Sequence, residues 1–270
     1  MCYTVVRSTV TRQLFGRTVI YTDEEHITSD NVVDVLNKAV KVHAQNQSEI
    51  EYLWNYYRGC TPILGKTKEV RENINHKIAV NRANEIVTFK RGYGFGEPIQ
   101  YIRRGSDEGL TDDIAALNEY MFAQSKHAKD STLAEWMYVC GLGMRMVLPG
   151  QDADEPFKIY TLDPRYSFVV RYNGLGEPVV MGVKFVKREN GQIRYSVYAK
   201  DFYFEIENGL VMKQQGHVLG DIPLFVYPAN QAQTGAFEVV LPLLDAINAA
   251  LVELIEDGTV QSIIDKYITE

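Results

Sequence analysis

The chain has 270 residues, 46% of them hydrophobic and 23% charged, a balance that excludes wholesale disorder and a fibrous repeat. No window approaches eighteen consecutive apolar residues, so no helix is expected to span a membrane. The net charge of −7 hides an asymmetry. Between Asn55 and Arg104 stand ten basic residues, among them Lys66, Lys68, Arg71, Lys77, Arg82, Arg103 and Arg104, against four acids. From Asp201 to Glu270 eleven acids face two lysines. Such polarity fits a nucleic-acid-facing region, complementary subunit contacts or solvated helix faces. Met1 to Tyr21 carries Arg7, Arg12 and Arg17 and no continuous apolar run, so it does not read as a secretory signal. The three cysteines, Cys2, Cys60 and Cys140, are odd in number and far apart. That argues against a disulfide framework and a cysteine zinc site, and for a soluble, cytosolic product in a reducing compartment.

An N-terminal arm, residues 1–28, precedes a helical region, residues 29–149. Ser29 or Asp30 is the expected N-cap of a long helix carrying Val33, Leu36, Val40, Ile50, Leu53 and Tyr57 at mostly three- and four-residue steps. Gly59 and Pro62 end it, and the pattern places Gly59 at positive φ. A second helix is expected to open near Asn73 or Asn75, with Ile78, Ala79, Ala83, Ile86 and Val87 on one face. It runs into Gly92, Gly94 and Gly96, read as a turn needing unusual dihedrals, and a short strand follows near Ile99–Ile102. Thr111, Asp112 and Asp113 open a third helix with Ile114, Leu117, Tyr120 and Met121 as its core face. A fourth follows Ser131 through Leu133, Trp136, Met137 and Cys140 and stops at Gly141 and Gly143.

Residues 150–235 change character. Short runs rich in Val, Ile, Tyr and Phe are punctuated by Asn173-Gly174, Asn190-Gly191 and Asn208-Gly209, three hairpin signals that predict an antiparallel meander. Residues 236–270 are helical again, with a break at Gly258. Helices, then a β meander, then helices make an α+β fold, not an alternating βαβ one.

No catalytic constellation stands out. Gly92-Tyr93-Gly94-Phe95-Gly96 lacks the spacing, the lysine and the following helix of a phosphate-binding loop. The five histidines form no i, i+4 pair, and no nucleophile elbow or reactive-cysteine signature occurs. Asp152-Ala153-Asp154-Glu155 lacks the spaced ligands of a calcium loop. The aromatic-rich meander, interleaved with Arg and Lys, admits two readings: a stacking and phosphate surface, or ordinary strand formers with charge on the opposite face.

One resemblance goes further. Tyr52-Leu53-Trp54-Asn55-Tyr56-Tyr57-Arg58-Gly59 resembles the aromatic helix and Tyr-Tyr-x-Gly turn of tailed-phage portal proteins of the siphophage type. The block Asn75-His76-Lys77-Ile78-Ala79-Val80-Asn81 is similar to their N-x-K-I-x-x-N helix. Gly96-Glu97-Pro98-Ile99 resembles their G-x-P-I turn. The same holds for Gly220-Asp221-Ile222-Pro223 and for Phe237-Glu238-Val239-Val240 through Asp245-Ala246-Ile247-Asn248. The order agrees from about Ile20 to Asn248. Tyr56, Tyr57, Gly59, Asn75, Lys77, Asn81, Gly96, Pro98, Pro223, Asp245 and Asn248 are the family-motif positions, structural in kind. The resemblance implies a subunit of a twelve-membered ring at one capsid vertex, with terminase, scaffold and head-completion proteins as partners and double-stranded DNA passing through the channel. It implies no catalytic residue, cofactor, metal or membrane, and a residence in host cytoplasm before assembly into the virion. The basic positions from Lys66 to Arg104 are candidate contacts to DNA or a neighbouring subunit.

Residues from Ala249 instead resemble the last helices of extracytoplasmic amino-acid-binding proteins, and the chain stops at Glu270, short of a portal stem and crown. That ending leads to the expectation of a truncated or remnant portal subunit, assembling as a monomer or small salt-sensitive oligomer. The alternatives are a phage-derived nucleic-acid-binding protein and a solute-binding fragment.

Overall fold

A computed structural model of the protein describes residues 16–65, 80–105, 111–150 and 155–267. In chain order it runs β1 (Tyr21–Thr22), α1 (Val32–Tyr57), a 3-10 turn (Pro62–Gly65), α2 (Arg82–Phe95), α3 (Thr111–Ala123) and α4 (Lys126–Cys140). Eight strands follow: β2 (Leu142–Pro149), β3 (Phe157–Leu162), β4 (Ser167–Tyr172), β5 (Val179–Lys187), β6 (Ile193–Tyr198), β7 (Phe202–Glu207), β8 (Leu210–Gly216) and β9 (Leu224–Pro228). A 3-10 turn at Glu238–Val240 leads into α5 (Leu241–Glu256) and α6 (Thr259–Tyr267). The fold is α+β, as the segment order predicted.

Two sheets form. The larger has the order β1-β4-β5-β6-β7-β8, antiparallel except for the parallel β1–β4 pair. The smaller has the order β3-β2-β9. Strand β2 lies in the stretch expected to be helical. Its residues Leu142 to Met146 are buried on both faces, Arg145 included through its pair with Asp130, and burial on both faces hides period-2 alternation from sequence. All three Asn-Gly signals mark hairpins, yet only Asn208 and Gly209 both take positive φ. At the other two the left-handed residues are Gly176 with Glu177, and Gly191 alone.

The helices correct the expectations in detail. Helix α1 begins at Val32 behind Asn31, not at Ser29 or Asp30, and the Asn31 side chain accepts from the Thr28 amide instead of capping. Helix α2 opens at Arg82, and Asn73 and Asn75 lie outside the described residues. Gly92 and Gly94 sit inside α2, and Gly96 keeps an ordinary φ of −70°, so that cluster forms no strained turn. No strand forms at Ile99–Ile102. Instead Asn118 of α3 accepts from the Tyr101 amide and donates to its carbonyl, both at 2.9 Å, which satisfies the backbone as a neighbouring strand would. Helix α4 starts at Lys126, ahead of Ser131. Cys140 is free and buried. Burial pushes the Cys140 thiol up to about 12.

Helix α1 spans 26 residues, about 39 Å at 1.5 Å per residue, and serves two cores. Its first turns place Val32, Val35, Leu36 and Ala39 against Phe168, Val183, Val197 and Phe204 of the larger sheet. Its last turns place Ile50, Leu53, Tyr56 and Tyr57 against α2, α4, α5 and the smaller sheet. The helix closes in a Schellman motif. The Gly59 amide donates to Tyr56 O and the Cys60 amide to Asn55 O, both at 2.9 Å, with Gly59 at φ +88°. A methyl group there meets only the Asn81 side chain at 3.4 Å, so substitution costs backbone strain rather than a clash. Gly59→Ala is expected to lower the unfolding free energy by about 1 kcal/mol; a chemical-denaturation midpoint equal to the parent's would refute the assignment.

Candidate functional site

The end of α1 gathers the motif residues. The Tyr56 hydroxyl donates to Asp245 Oδ1 at 2.8 Å, and its ring stacks on Phe237 with centroids 5.9 Å apart. Burial first, then the Asp245 carboxylate, raises the Tyr56 phenol far above its usual range. Tyr57 donates to Glu135 Oε1 at 2.7 Å, and burial pushes its phenol up to about 12. Asn81 does two jobs. Its Nδ2 donates to the Tyr57 carbonyl at 2.8 Å, satisfying an end-of-helix acceptor of α1. Its Oδ1 accepts from the Asn84 amide at 3.1 Å and caps α2. Asn248 of α5 accepts from the Val80 amide at 3.0 Å.

Six predicted positions therefore meet at one junction: Tyr56, Tyr57, Gly59, Asn81, Asp245 and Asn248. Others do not join them. Gly96 and Pro98 are exposed at the far end of α2. Pro223 lends its carbonyl to the Val147 amide at 3.0 Å and stays with the smaller sheet. Asn75, Lys77, Lys66, Lys68 and Arg71 lie outside the described residues. Of the basic candidates that remain, Arg82 pairs with Glu85 at 2.5 Å, Arg103 donates to the Gly105 carbonyl, and Arg104 is exposed.

Sequence reasoning missed a second junction beside this one. Arg17, counted there only as a charge, has a fully buried side chain that donates to Glu238 Oε1 at 2.6 Å and lies 3.3 Å from Glu49 Oε2. Glu238 also accepts from the amides of Gly16 (3.0 Å) and Gly235 (2.8 Å). The chain crosses itself closely at this clasp: a methyl on Gly16 would fall 1.8 Å from Ala232 O, and one on Gly235 would fall 2.2 Å from Val139 O. Glu238 stood in the quoted Phe-Glu motif, the only sequence signal for the clasp.

Further along α1 the inward side chains stay polar. Asn46 accepts from the Thr18 amide and donates to its carbonyl. His43 Nε2–H donates to Arg165 O at 3.1 Å, and its ring stacks on Phe168. Around this seam a cavity of about 70 Å³ is lined by Thr18, His43, Asn46 and Ser167 among others. Arg165 itself packs against the stacked rings of Trp54 and Trp136, with hydrogen bonds to Asp163 and Glu51 that hold its guanidinium charged. The clasp and the seam position backbone segments. Their polar groups face one another, not an opening sized for a substrate.

A structural frame of this kind fits a subunit whose work is assembly. Residues 36–259 match the family model described as phage portal protein, SPP1 Gp6-like, and the chain belongs to that family. No curated protein gives a significant match. The match takes in all six junction residues and runs through Thr259, past the start of the tail at Ala249. The protein is a portal subunit, a bacteriophage capsid component that serves DNA packaging.

Two outcomes test the site. Glu238→Gln removes the charge opposite buried Arg17 and is expected to cost about 3 kcal/mol, while Glu85→Gln at the exposed pair leaves the melting transition unchanged. Equal effects would show that the clasp is not special. For His43, burial lowers the folded-state value to about 4, below the unfolded 6.5. Its stabilising contribution is then fully present above pH 6.5 and lost as pH falls toward 4, about 3 kcal/mol in all. The denaturation midpoint of the parent should fall with acid across that window, and that of His43→Gln should fall less; identical pH profiles would refute it.

Proposed function

We propose that the chain is a siphophage-type portal subunit that joins copies of itself in a ring at the capsid vertex. The family match across residues 36–259 carries this reading, and the family normally forms oligomeric rings that interact with capsid and terminase. In this reading the terminase, scaffold and head-completion proteins are its partners, and double-stranded DNA passes through the ring. The helical region 29–149 and the β-rich region 150–235 form the outward wing, residues 16–28 of the arm 1–28 strap them, and the C-terminal helices 236–270 lie at the subunit boundary. The motif positions Tyr56, Tyr57, Gly59, Asn75, Lys77, Asn81, Gly96, Pro98, Pro223, Asp245 and Asn248 act structurally, and the chain supplies no catalytic step to packaging. The basic stretch Lys66, Lys68, Arg71, Lys77, Arg82, Arg103 and Arg104 contacts DNA or the neighbouring subunit. The solute-receptor spacing of the tail has no separate role here. The subunit is made in the host cytoplasm and then enters the virion.

The test is direct. Light scattering and electron micrographs of concentrated purified protein at low salt are expected to show self-association into small head-to-tail oligomers or rings, dispersed by high salt. A species that stays monomeric at every concentration and salt tried would overturn the reading.

A further inference from the structure

Helix α5 is apolar on nearly every side. Leu241, Leu244 and Val252 face inward, yet Leu243, Ile247, Ala250 and Leu254 line the outer face, with Leu243 59% exposed. A helix that is hydrophobic all round belongs in a buried setting. Helix α6 packs chiefly on α5 and repeats the pattern with Ile263, Ile264 and Tyr267, the last 72% exposed. The surface is also acidic: from Leu241 to Tyr267, Glu253, Glu256, Asp257 and Asp265 stand against Lys266 alone, Asp245 being turned in to Tyr56. A second exposed apolar surface has the opposite sign. On α2, Phe89 (74% exposed) and Tyr93 (89%) stack on each other in the open, and Ile102 follows at 84%. From Arg82 to Arg104 five basic residues stand against Glu85 and Glu97.

We infer that the acidic α5–α6 face of one subunit docks on the basic α2 face, Phe89 to Arg104, of the next copy. The inference rests on the portal reading and adds to it the two surfaces that meet. Charge decides the pairing. Joining either face to its own copy sets a net three like charges against three, whereas crossing them sets acid against base. Crossed pairing is head-to-tail and leaves one face of each kind free, the arrangement that closes rings. Helix α2 packs on α4 and α1, and α6 chiefly on α5, so covering one surface leaves the other open.

A charge swap in the full chain tests this by sedimentation velocity and light scattering. Lys90→Glu with Arg104→Glu is expected to weaken association at least tenfold, and Glu253→Lys with Asp265→Lys to do the same. Mixing the two variants, or combining all four changes, should restore it. Melting curves check that each variant folds. Should any variant fail to fold, a bismaleimide crosslinker applied to mixed Tyr93→Cys and Ile263→Cys proteins gives the answer: crosslinks between unlike chains support crossed pairing, and crosslinks only within each preparation overturn it. Rings that persist unchanged in both reversed variants would overturn the inference and leave the portal reading intact. Two-fold dimers that do not grow would also overturn it, whereas no self-association under any condition would remove both.

Discussion

Helix α1 holds two cores together through a polar seam, and the rest of the structure depends on that seam. Its inward stripe changes chemistry along its length: Val32 to Ala39 apolar, then His43, Asn46 and Glu49 polar, then Ile50 to Tyr57 apolar. Each of the three polar side chains meets a backbone group or charge of the arm or of the segment before β4. A buried polar group without a partner is costly, so these contacts specify where α1 sits along its own axis. A shift by one turn would carry His43, Asn46 and Glu49 away from the Arg165 carbonyl, Thr18 and Arg17 and strand their polar groups. The two cores are therefore held in one mutual position by polar register, while apolar burial supplies the cohesion within each.

That seam explains which parts of the fold were legible. The helix reading named Val33 and Val40, which are half-buried against the core of the larger sheet; between Val40 and Ile50 the inward positions belong to His43, Asn46 and Glu49, polar residues that periodicity discounts. The hairpins were legible because Asn-Gly carries local backbone chemistry that needs no partner. Strand β2 was not, because its first residues are buried on both faces, Arg145 included through its pair with Asp130, so no period-2 alternation marks it. The short strand expected at Ile99–Ile102 failed for the opposite reason: a single side chain, Asn118, does what a partner strand would do, and no local pattern announces it.

The candidate site divides along the same line. Motif resemblance named Tyr56, Tyr57, Asn81, Asp245 and Asn248 without saying that they touch; the structure joins them through hydrogen bonds across 168 and 189 residues of chain. The Arg17 clasp lay beyond sequence reasoning, because one arginine in an arm and two glutamates far away carry no spacing signal. For a portal subunit the two junctions have one purpose. They tie the arm, α1, α2 and α5 into a single body, so that a pull on any of these elements reaches the others.

Helix α3 stands apart from that body. None of its described side chains is fully buried, and it is attached through Tyr120, Asn118 and the neighbouring Gln124, whose amide accepts from the Ile159 amide and donates to the Phe157 carbonyl. The bonds of Tyr120 and Gln124 occupy the free edge of β3, while Asn118 holds Tyr101. Elements with few buried contacts open at free energies well below global unfolding, so amide exchange should separate α3 from the two cores. Its opening has a hazard of its own: it uncovers backbone donors and acceptors along β3, an edge with aromatic neighbours and no internal proline to block pairing. Peeling this one helix from the strand therefore opens an edge competent to pair with another chain while both cores stay packed.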